Sequence, residues 1–316
     1  MKFSILTATY NRAKCLPKLY ESLIKNKSSN YEIEWLIMDD GSKDETENLI
    51  KDYIAKNEIE IKFFKQQNQG KMTAIYNLAQ YVTGEIWIEC DSDDYFTDGA
   101  FDKIKDLYEK NKKRKDIYAF AFLKIDQNGN NMGNTFKKEE TTMFDLYFKE
   151  GGTGEKALAF ITEVRKKYRY ELEHNERFVT ESRMYHKMDK DYKMICNNEY
   201  MMVCEYQEEG YTKNINKEFV NNPFGYYMYF YEILNDMDMK GVSFGKRLYV
   251  IKHFILFGYL TGQKCKIMNR TLLNKILIAM MYIPGCIKTN IYLKKIVNQV
   301  TELKWRSGKA WDKNGG

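Results

Sequence analysis

The densest chemistry in this 316-residue chain lies at Asp91-Ser92-Asp93-Asp94, directly after the apolar run EIWIEC. Carboxylates packed this closely repel one another unless a cation sits among them. Hard oxygen donors on a loop suit Mg²⁺ or Mn²⁺, ions that commonly bridge protein carboxylates to a substrate diphosphate. Asp91, Asp93 and Asp94 are therefore candidate metal ligands. The plainer alternative is a solvated turn in which Asp94 or Asp98 caps the next helix. Two other clusters carry recognition chemistry. Thr9-Tyr10-Asn11-Arg12 offers an aromatic face that can stack on a base, and Asp39-Asp40-Gly41-Ser42 offers a carboxylate, Asp40, that can accept an imide N–H. Turn formation, or helix opening by Ser42 or Asp44, is the competing role for both. Lys71 follows QQNQG at a helix start, where it could reach a phosphate aided by the helix dipole; taken singly it reads as a surface lysine.

These residues need a scaffold, and the first half of the chain supplies one by alternation. Short β-rich runs at Phe3–Ala8, Ile33–Met38, Glu60–Phe64, Glu85–Cys90 and Asp116–Ile125 are separated by segments with apolar residues at helical spacing, over Ala13–Lys25, Asp44–Ala55, Gly70–Val82 and Asp98–Lys110. Such alternation predicts an α/β fold with a parallel sheet covered on both faces. Ligands of open α/β sheets bind beyond the carboxyl ends of the strands. All three polar clusters sit at such ends and therefore converge on one edge.

From about residue 126 the pattern becomes irregular, with a strong turn at Asn128-Gly129-Asn130 and a flexible loop at Gly151–Gly154. Beyond about Asn221, helical spacing returns over Pro223–Leu234, Gly245–Tyr259, Thr271–Tyr282 and Tyr292–Leu303, and Ser307–Gly316 reads as a frayed polar end. The net charge of +6 hides a split: residues 240–316 hold 15 basic and 2 acidic residues, net +13, and the preceding 239 hold 35 and 42, net −7. Basic amphipathic helices read as membrane-surface elements, as a solvated face or as a subunit interface. No nucleic-acid recognition motif is present. No run reaches the ~18 apolar residues of a membrane span, and MKFSILTATYNR reads as a first strand, not a signal peptide. Six scattered cysteines without CxxC spacing, and only three histidines, argue against a zinc site and suit a reducing cytosol. His174 and His186 read as surface residues, with a metal ligand as the alternative for a histidine in this region.

The ordered segments ILTATYNR, IMDDGSKDET, NQGKMTAIYNLA and TGEIWIECDSDD resemble the nucleotide-binding half of family 2 glycosyltransferases, clearly over residues 3–125. Later segments, GTGEKALAFITEV, NERFVTESRMYHKM and EYQEEGYTKN, resemble a bacterial subgroup that builds capsule or other surface polysaccharide. The resemblance implies a GT-A (Rossmann-like nucleotide-diphospho-sugar transferase) domain, placed over residues 1–220, and helical spacing and charge set off a basic, mainly helical C-terminal region over 221–316. It implies a UDP-sugar donor, Mn²⁺ or Mg²⁺ as cofactor, and a glycan or lipid-linked glycan acceptor at the inner face of the cell membrane.

Carried over residue by residue, Ala8, Tyr10 and Asp40 match positions that hold uracil, with Asn11 beside them. Asp91 and Asp93 match the ribose- and metal-contacting carboxylates, flanked by Ser92 and Asp94. Lys71 and Asn77 fall where the family lines the donor diphosphate and ribose. Glu181, in FVTES, matches the catalytic base, although the family often shows Glu-Asp or Asp-Asp where Thr180-Glu181 stands. A surface ion pair with Arg183 or Lys187 is the plainer role for Glu181, and Glu173, Glu176 and Asp189 are rival bases. The QxxRW motif of processive synthases is missing, which implies transfer of a single hexosyl or N-acetylhexosaminyl unit. Two alternatives remain: a nucleotidyltransferase of related fold, disfavoured by the glycine-free loop Ala8–Cys15, and a catalytically silent nucleotide-sugar-binding scaffold.

Overall fold

The computed structural model describes residues 1–205, 215–265 and 273–282. Contacts divide the chain into two units: Met1–Lys213 with Gly241–Ser243, and Asn214–Lys240 with the chain from Phe244 onward. The first unit opens with β1 (Lys2–Thr9), α1 (Leu16–Lys25), β2 (Glu32–Asp39), α2 (Thr46–Lys56), β3 (Glu60–Lys65), α3 (Lys71–Leu78), β4 (Ile86–Glu89), β5 (Asp94–Phe96), α4 (Ala100–Asn111) and β6 (Ile117–Asp126). It continues with β7 (Glu140–Thr141), α5 (Met143–Phe148), β8 (Lys156–Ile161), α6 (Thr162–Arg165), α7 (Glu181–Met188) and β9 (Lys193–Cys204).

β1 and β2 are buried almost throughout, as strands covered on both faces must be. α1 lays Leu16, Leu19, Tyr20 and Leu23 on one side, the i, i+3, i+4, i+7 stripe of a core-facing helix. Tyr20 stacks on Tyr53 of α2 with centroids 3.8 Å apart, closing the layer over Trp35 and Ile37. Trp35, fully buried in β2, donates from Nε1 to Thr7 Oγ1 at 3.0 Å, so the indole N–H is not left unsatisfied. Glu34 is also fully buried in β2. It accepts from Ser4, from the Thr83 backbone N–H and hydroxyl, and from Lys62. Burial opposes its charge, but these donors outweigh it and hold the carboxyl down at about 2.

Among the described residues the strands form a nine-stranded sheet in the order β3-β2-β1-β4-β8-β6-β9-β5, with β7 paired to β9. The expected parallel arrangement holds for β1 to β4. Beyond β4 it fails: β8 runs antiparallel to both β4 and β6, and β5 antiparallel to β9. The segment after residue 126, irregular in sequence, supplies β8 and β9 to the body of the sheet. Their hydrophobic runs are short, and the β6–β9 register is broken by bulges, which blurs the period-2 pattern.

Only residues 90–93 join β4 to β5, yet β8, β6 and β9 lie between these two strands in the sheet. In a flat sheet, strands ~4.8 Å apart would put β4 and β5 roughly 19 Å apart. Five residue steps reach at most about 18 Å when fully extended, and this connection turns back, with Asp94 N donating to Asp91 O at 3.0 Å. The sheet must therefore curl, with the carboxylate loop spanning the curl.

The second unit holds α8 (Ile215–Asn221), α9 (Pro223–Asp236), α10 (Phe244–Thr261) and a helical stretch over 273–282. α9 and α10 pack through aromatic stacking: Tyr226 on Phe257 at 5.1 Å, Tyr227 on Phe254 at 5.4 Å and Phe230 on Phe257 at 5.9 Å. Among the described residues no helix is long and apolar enough to cross a membrane. The helix expected over Tyr292–Leu303, the polar end Ser307–Gly316 and Cys286 lie outside the described residues. Among the described residues Cys15, Cys90, Cys196 and Cys204 are free thiols.

Candidate active site

The sheet order reverses direction at β1, with β2 and β3 on one side and β4 on the other, which makes the carboxyl ends of β1 and β4 the natural crevice. Backbone bonds fix the exits of these strands: Asp40 N to Thr9 O at 2.8 Å, Gln66 N to Asp39 O at 2.9 Å and Cys90 N to Leu6 O at 3.0 Å. The three polar clusters leave side by side, as the strand ends predict.

The loop after β1 is locked to the loop after β2. Asn11, in a left-handed conformation at φ 53°, donates from its backbone to Ser42 Oγ, and its Oδ1 accepts from Lys43 N, both at 2.8 Å. Ala13 N donates to Asp44 Oδ2 at 3.1 Å. The Asn11 side chain thus shapes the loop, and the Tyr10 ring beside it is 45% exposed. Ala8, partly exposed, lies opposite Met38 in the sheet.

Asp40 is buried and heavily engaged. Oδ1 accepts from Gln66 Nε2 and Gln69 N, and Oδ2 from Gly70 N, all at 2.8 Å. Gln66 in turn accepts from Asn77 Nδ2 at 2.8 Å. Asp40, Gln66 and Asn77 form one chain of hydrogen bonds that sets the loop leading into α3. Gly70 ends this loop at φ 93°, and a Cβ there would come within 2.7 Å of Arg177 O, so only glycine fits.

α3 begins at Lys71, and α7 begins at Glu181. The Lys71 ammonium lies 2.7 and 2.9 Å from the two Asp91 oxygens and 3.2 Å from Glu181 Oε1. Burial works against this ammonium, but Asp91 and Glu181 outweigh it and hold its pKa well above the ordinary lysine value. For Asp91, burial likewise opposes ionisation, and Lys71 overcomes it to keep the carboxyl below its usual range. Among the described residues no ammonium pairs with Asp93: burial, then Asp91 and Asp94, push it up to about 6. Ser92 is buried between them.

Asp94, the third expected ligand, is engaged by other side chains. It opens β5, where its Oδ2 meets Lys124 Nζ at 3.1 Å and Cys204 Sγ at 3.2 Å. Among the described residues no three His, Cys, Asp or Glu side chains gather as a metal cluster. Asp91 and Asp93 are the candidate donors with no lysine-and-thiol contact of that kind among the described residues. Two hard carboxylates, one of them crowded by its neighbours' charge, fit a divalent ion that completes its shell with water and diphosphate oxygens.

Glu181 is not the surface ion-pair residue of the plainer reading. Arg183 and Lys187 pair instead with Glu171, and Arg183 also with Glu173 at 3.0 Å. Of the rival bases, Glu173 is thus engaged by Arg183. Asp189 accepts from Met143 N, Phe144 N and the Tyr118 hydroxyl, tying α7 to the start of α5. Glu176 is buried. His186 is buried as well, contrary to the surface reading: it packs edge-on against Phe144 at 5.4 Å, and burial pushes its pKa down to about 3. His174 is exposed, as expected.

A supporting cluster was not anticipated. Glu89, two residues before Asp91, accepts from Arg165 at 2.7 and 3.1 Å, from Tyr170 at 2.6 Å and from Trp87 Nε1 at 3.1 Å. Arg165 is 2% exposed, with its guanidinium over the rings of Trp87, Phe160 and Tyr170. The cluster ties the end of β4 to the segment that leads into α7. Its one sequence signal was an acidic residue inside the buried run EIWIEC.

The family model described as Glycosyl transferase family 2 matches residues 4–169. An uncharacterized glycosyltransferase of Mycoplasma pneumoniae is 33% identical over 127 residues, covering 39% of this chain and 42% of the relative. Poly(ribitol-phosphate) beta-N-acetylglucosaminyltransferase TarS of Staphylococcus aureus is 34% identical over 97 residues, covering 30% of this chain and 17% of TarS. In sequence the chain thus spans less than half the length of either curated relative. The crystal structure of S. aureus TarS 1–349 in complex with UDP-GlcNAc shares the fold, with a TM-score of 0.58 at 16% identity over 99% of this chain and 93% of that one.

Proposed function

The chain belongs to glycosyl transferase family 2, and from that premise we propose that it moves a single sugar from a UDP-sugar to a hydroxyl of a glycan acceptor, with inversion at the anomeric carbon. The observation that carries this reading is the sharing of one ammonium, Lys71, by Asp91 at the end of β4 and Glu181 at the start of α7. A donor-side carboxylate and a carboxylate from a segment 90 residues later meet at one point, the layout a displacement requires.

In this reading the Tyr10 ring stacks on the uracil of a donor lying across the ends of β1 and β4, with Ala8 and Asn11 alongside. Asp40 orders the pocket wall through the 66–70 loop and keeps an acceptor position on Oδ2 for the imide N–H. Asn77 and Ser92 line the ribose and diphosphate. Asp91 and Asp93 would hold Mn²⁺ or Mg²⁺, which when bound supplies positive charge to the leaving diphosphate. Lys71 adds a second positive charge there. Glu181 takes the proton of the acceptor hydroxyl as the new bond forms.

TarS is named for acting on poly(ribitol-phosphate) with an N-acetylglucosaminyl unit, and its structure carries UDP-GlcNAc. That supports an acceptor in surface-polysaccharide synthesis and a hexosyl or N-acetylhexosaminyl donor. Residues 1–220 act as the catalytic domain, and 221–316 form the basic region that meets a lipid-linked acceptor at an anionic membrane surface. A thermal-shift and hydrolysis screen of nucleotide sugars with Mn²⁺ tests the donor class. Asp93→Ala should abolish turnover, and Glu181→Gln should keep donor binding while lowering the transfer rate about 10²–10⁴-fold. Transfer by Glu181→Gln at near wild-type rate would remove the base assignment.

A further inference from the structure

The position of Lys71 has a thermodynamic consequence for metal binding. Its ammonium lies within 3 Å of both Asp91 oxygens and also reaches Glu181. A divalent cation drawn to Asp91 meets that positive charge at the same carboxylate. Two cations on one carboxylate repel each other unless a further anion joins them. A nucleotide diphosphate is such an anion, and the start of α3, where Lys71 stands, is a favourable place for one.

Building on the transferase reading, we propose that Lys71 is a positioning residue that competes with the divalent metal for Asp91, so that metal and nucleotide diphosphate enter as a coupled pair. When they enter, the ammonium shifts from the carboxylates to the diphosphate. That shift also withdraws Lys71 from Glu181 and frees its carboxylate to take a proton.

The reciprocity of linkage makes this testable without turnover: if UDP tightens metal binding, metal tightens UDP binding by the same factor. Mn²⁺ titrations followed by electron paramagnetic resonance, with and without UDP, compare the wild type with Lys71→Met, Lys71→Gln and Lys71→Arg. In the absence of UDP, the two neutral variants should bind Mn²⁺ about tenfold tighter than the wild type, and their UDP–Mn²⁺ coupling should shrink by about the same factor. Lys71→Arg, which keeps the charge, should restore weak metal binding. A merely structural lysine would give the opposite sign, because disturbing the site weakens metal binding.

Unchanged or weaker Mn²⁺ affinity in a neutral variant that keeps the wild-type near-ultraviolet circular dichroism would overturn the inference while leaving the transferase reading intact. If one neutral variant fails to fold, the other decides. If neither folds, Lys71→Arg with Mn²⁺ affinity tenfold above wild type would overturn it. Failure of the wild type to bind UDP at millimolar Mn²⁺ would overturn the transferase reading and the inference together.

Discussion

Gly70 shows how much of the site depends on single backbone positions. Its N–H binds Asp40, its φ of 93° belongs to glycine, and a Cβ would collide with Arg177 O. Gly70→Ala should therefore cost about 1–3 kcal/mol by urea unfolding and weaken UDP binding more than it weakens the fold, because α3 and Lys71 start there. Wild-type UDP affinity in this variant would detach the 66–70 loop from the site. At this scale the sequence was readable where chemistry followed from a strand end: Asp40, Asp91 and Asp93 all emerge where expected. It was unreadable where a distant partner decides. Asp94 turns to Lys124, thirty residues on, and the Asp40 carboxylate is taken up by a loop whose path no local pattern encodes.

Between elements, the buried groups that tie strands to helices should respond in characteristic ways. Arg165 and Glu89 join β4 to the segment before α7, and removing one partner of a buried pair is expected to cost about 3–5 kcal/mol. Arg165→Met should show that loss in chemical unfolding, and adding Glu89→Leu should recover part of it, a non-additivity that a double-mutant cycle measures. Asp189, between α7 and α5, has its carboxyl pushed up to about 7 by burial, partly offset by Phe144 N, Met143 N and Tyr118. The unfolded chain ionises this group first, near pH 4. Stability should therefore fall as pH rises from about 4 to about 7 and level off above. Asp189→Asn should flatten that slope in Tm measured across the same range. Up to β6, the strand–helix alternation was legible because each element carries its own period, with the exception of the three-residue β5, which is too short to show one. β8, β9 and α7 were not, because bulges and short runs break the period and burial in a mixed sheet depends on neighbours far along the chain.

For the molecule as a whole, the charge split sets an expectation about surfaces. Residues 240–316 hold a net +13 and the rest −7, an asymmetry invisible in the total. Sedimentation with anionic vesicles at low salt should retain the full chain, and release it as salt rises and the screening length falls to a few ångströms. A chain truncated before Gly241 should stay in the supernatant at all salt concentrations; retention of that chain would locate membrane affinity in the acidic body. The curl of the sheet has a different kind of consequence. The short link between β4 and β5 acquires its shape only when β5 finds Cys204, Val203 and Met202, a hundred residues downstream. Such distant pairing raises contact order and slows folding. A nascent chain emerging from the ribosome thus carries its aspartates early but cannot arrange them until β9 has been synthesised. Pulse-labelled hydrogen exchange should show the amide of Thr97, which donates to Met201 O, gaining protection together with β9, not with β4, so the part of the protein encoded in its first third is among the last to mature.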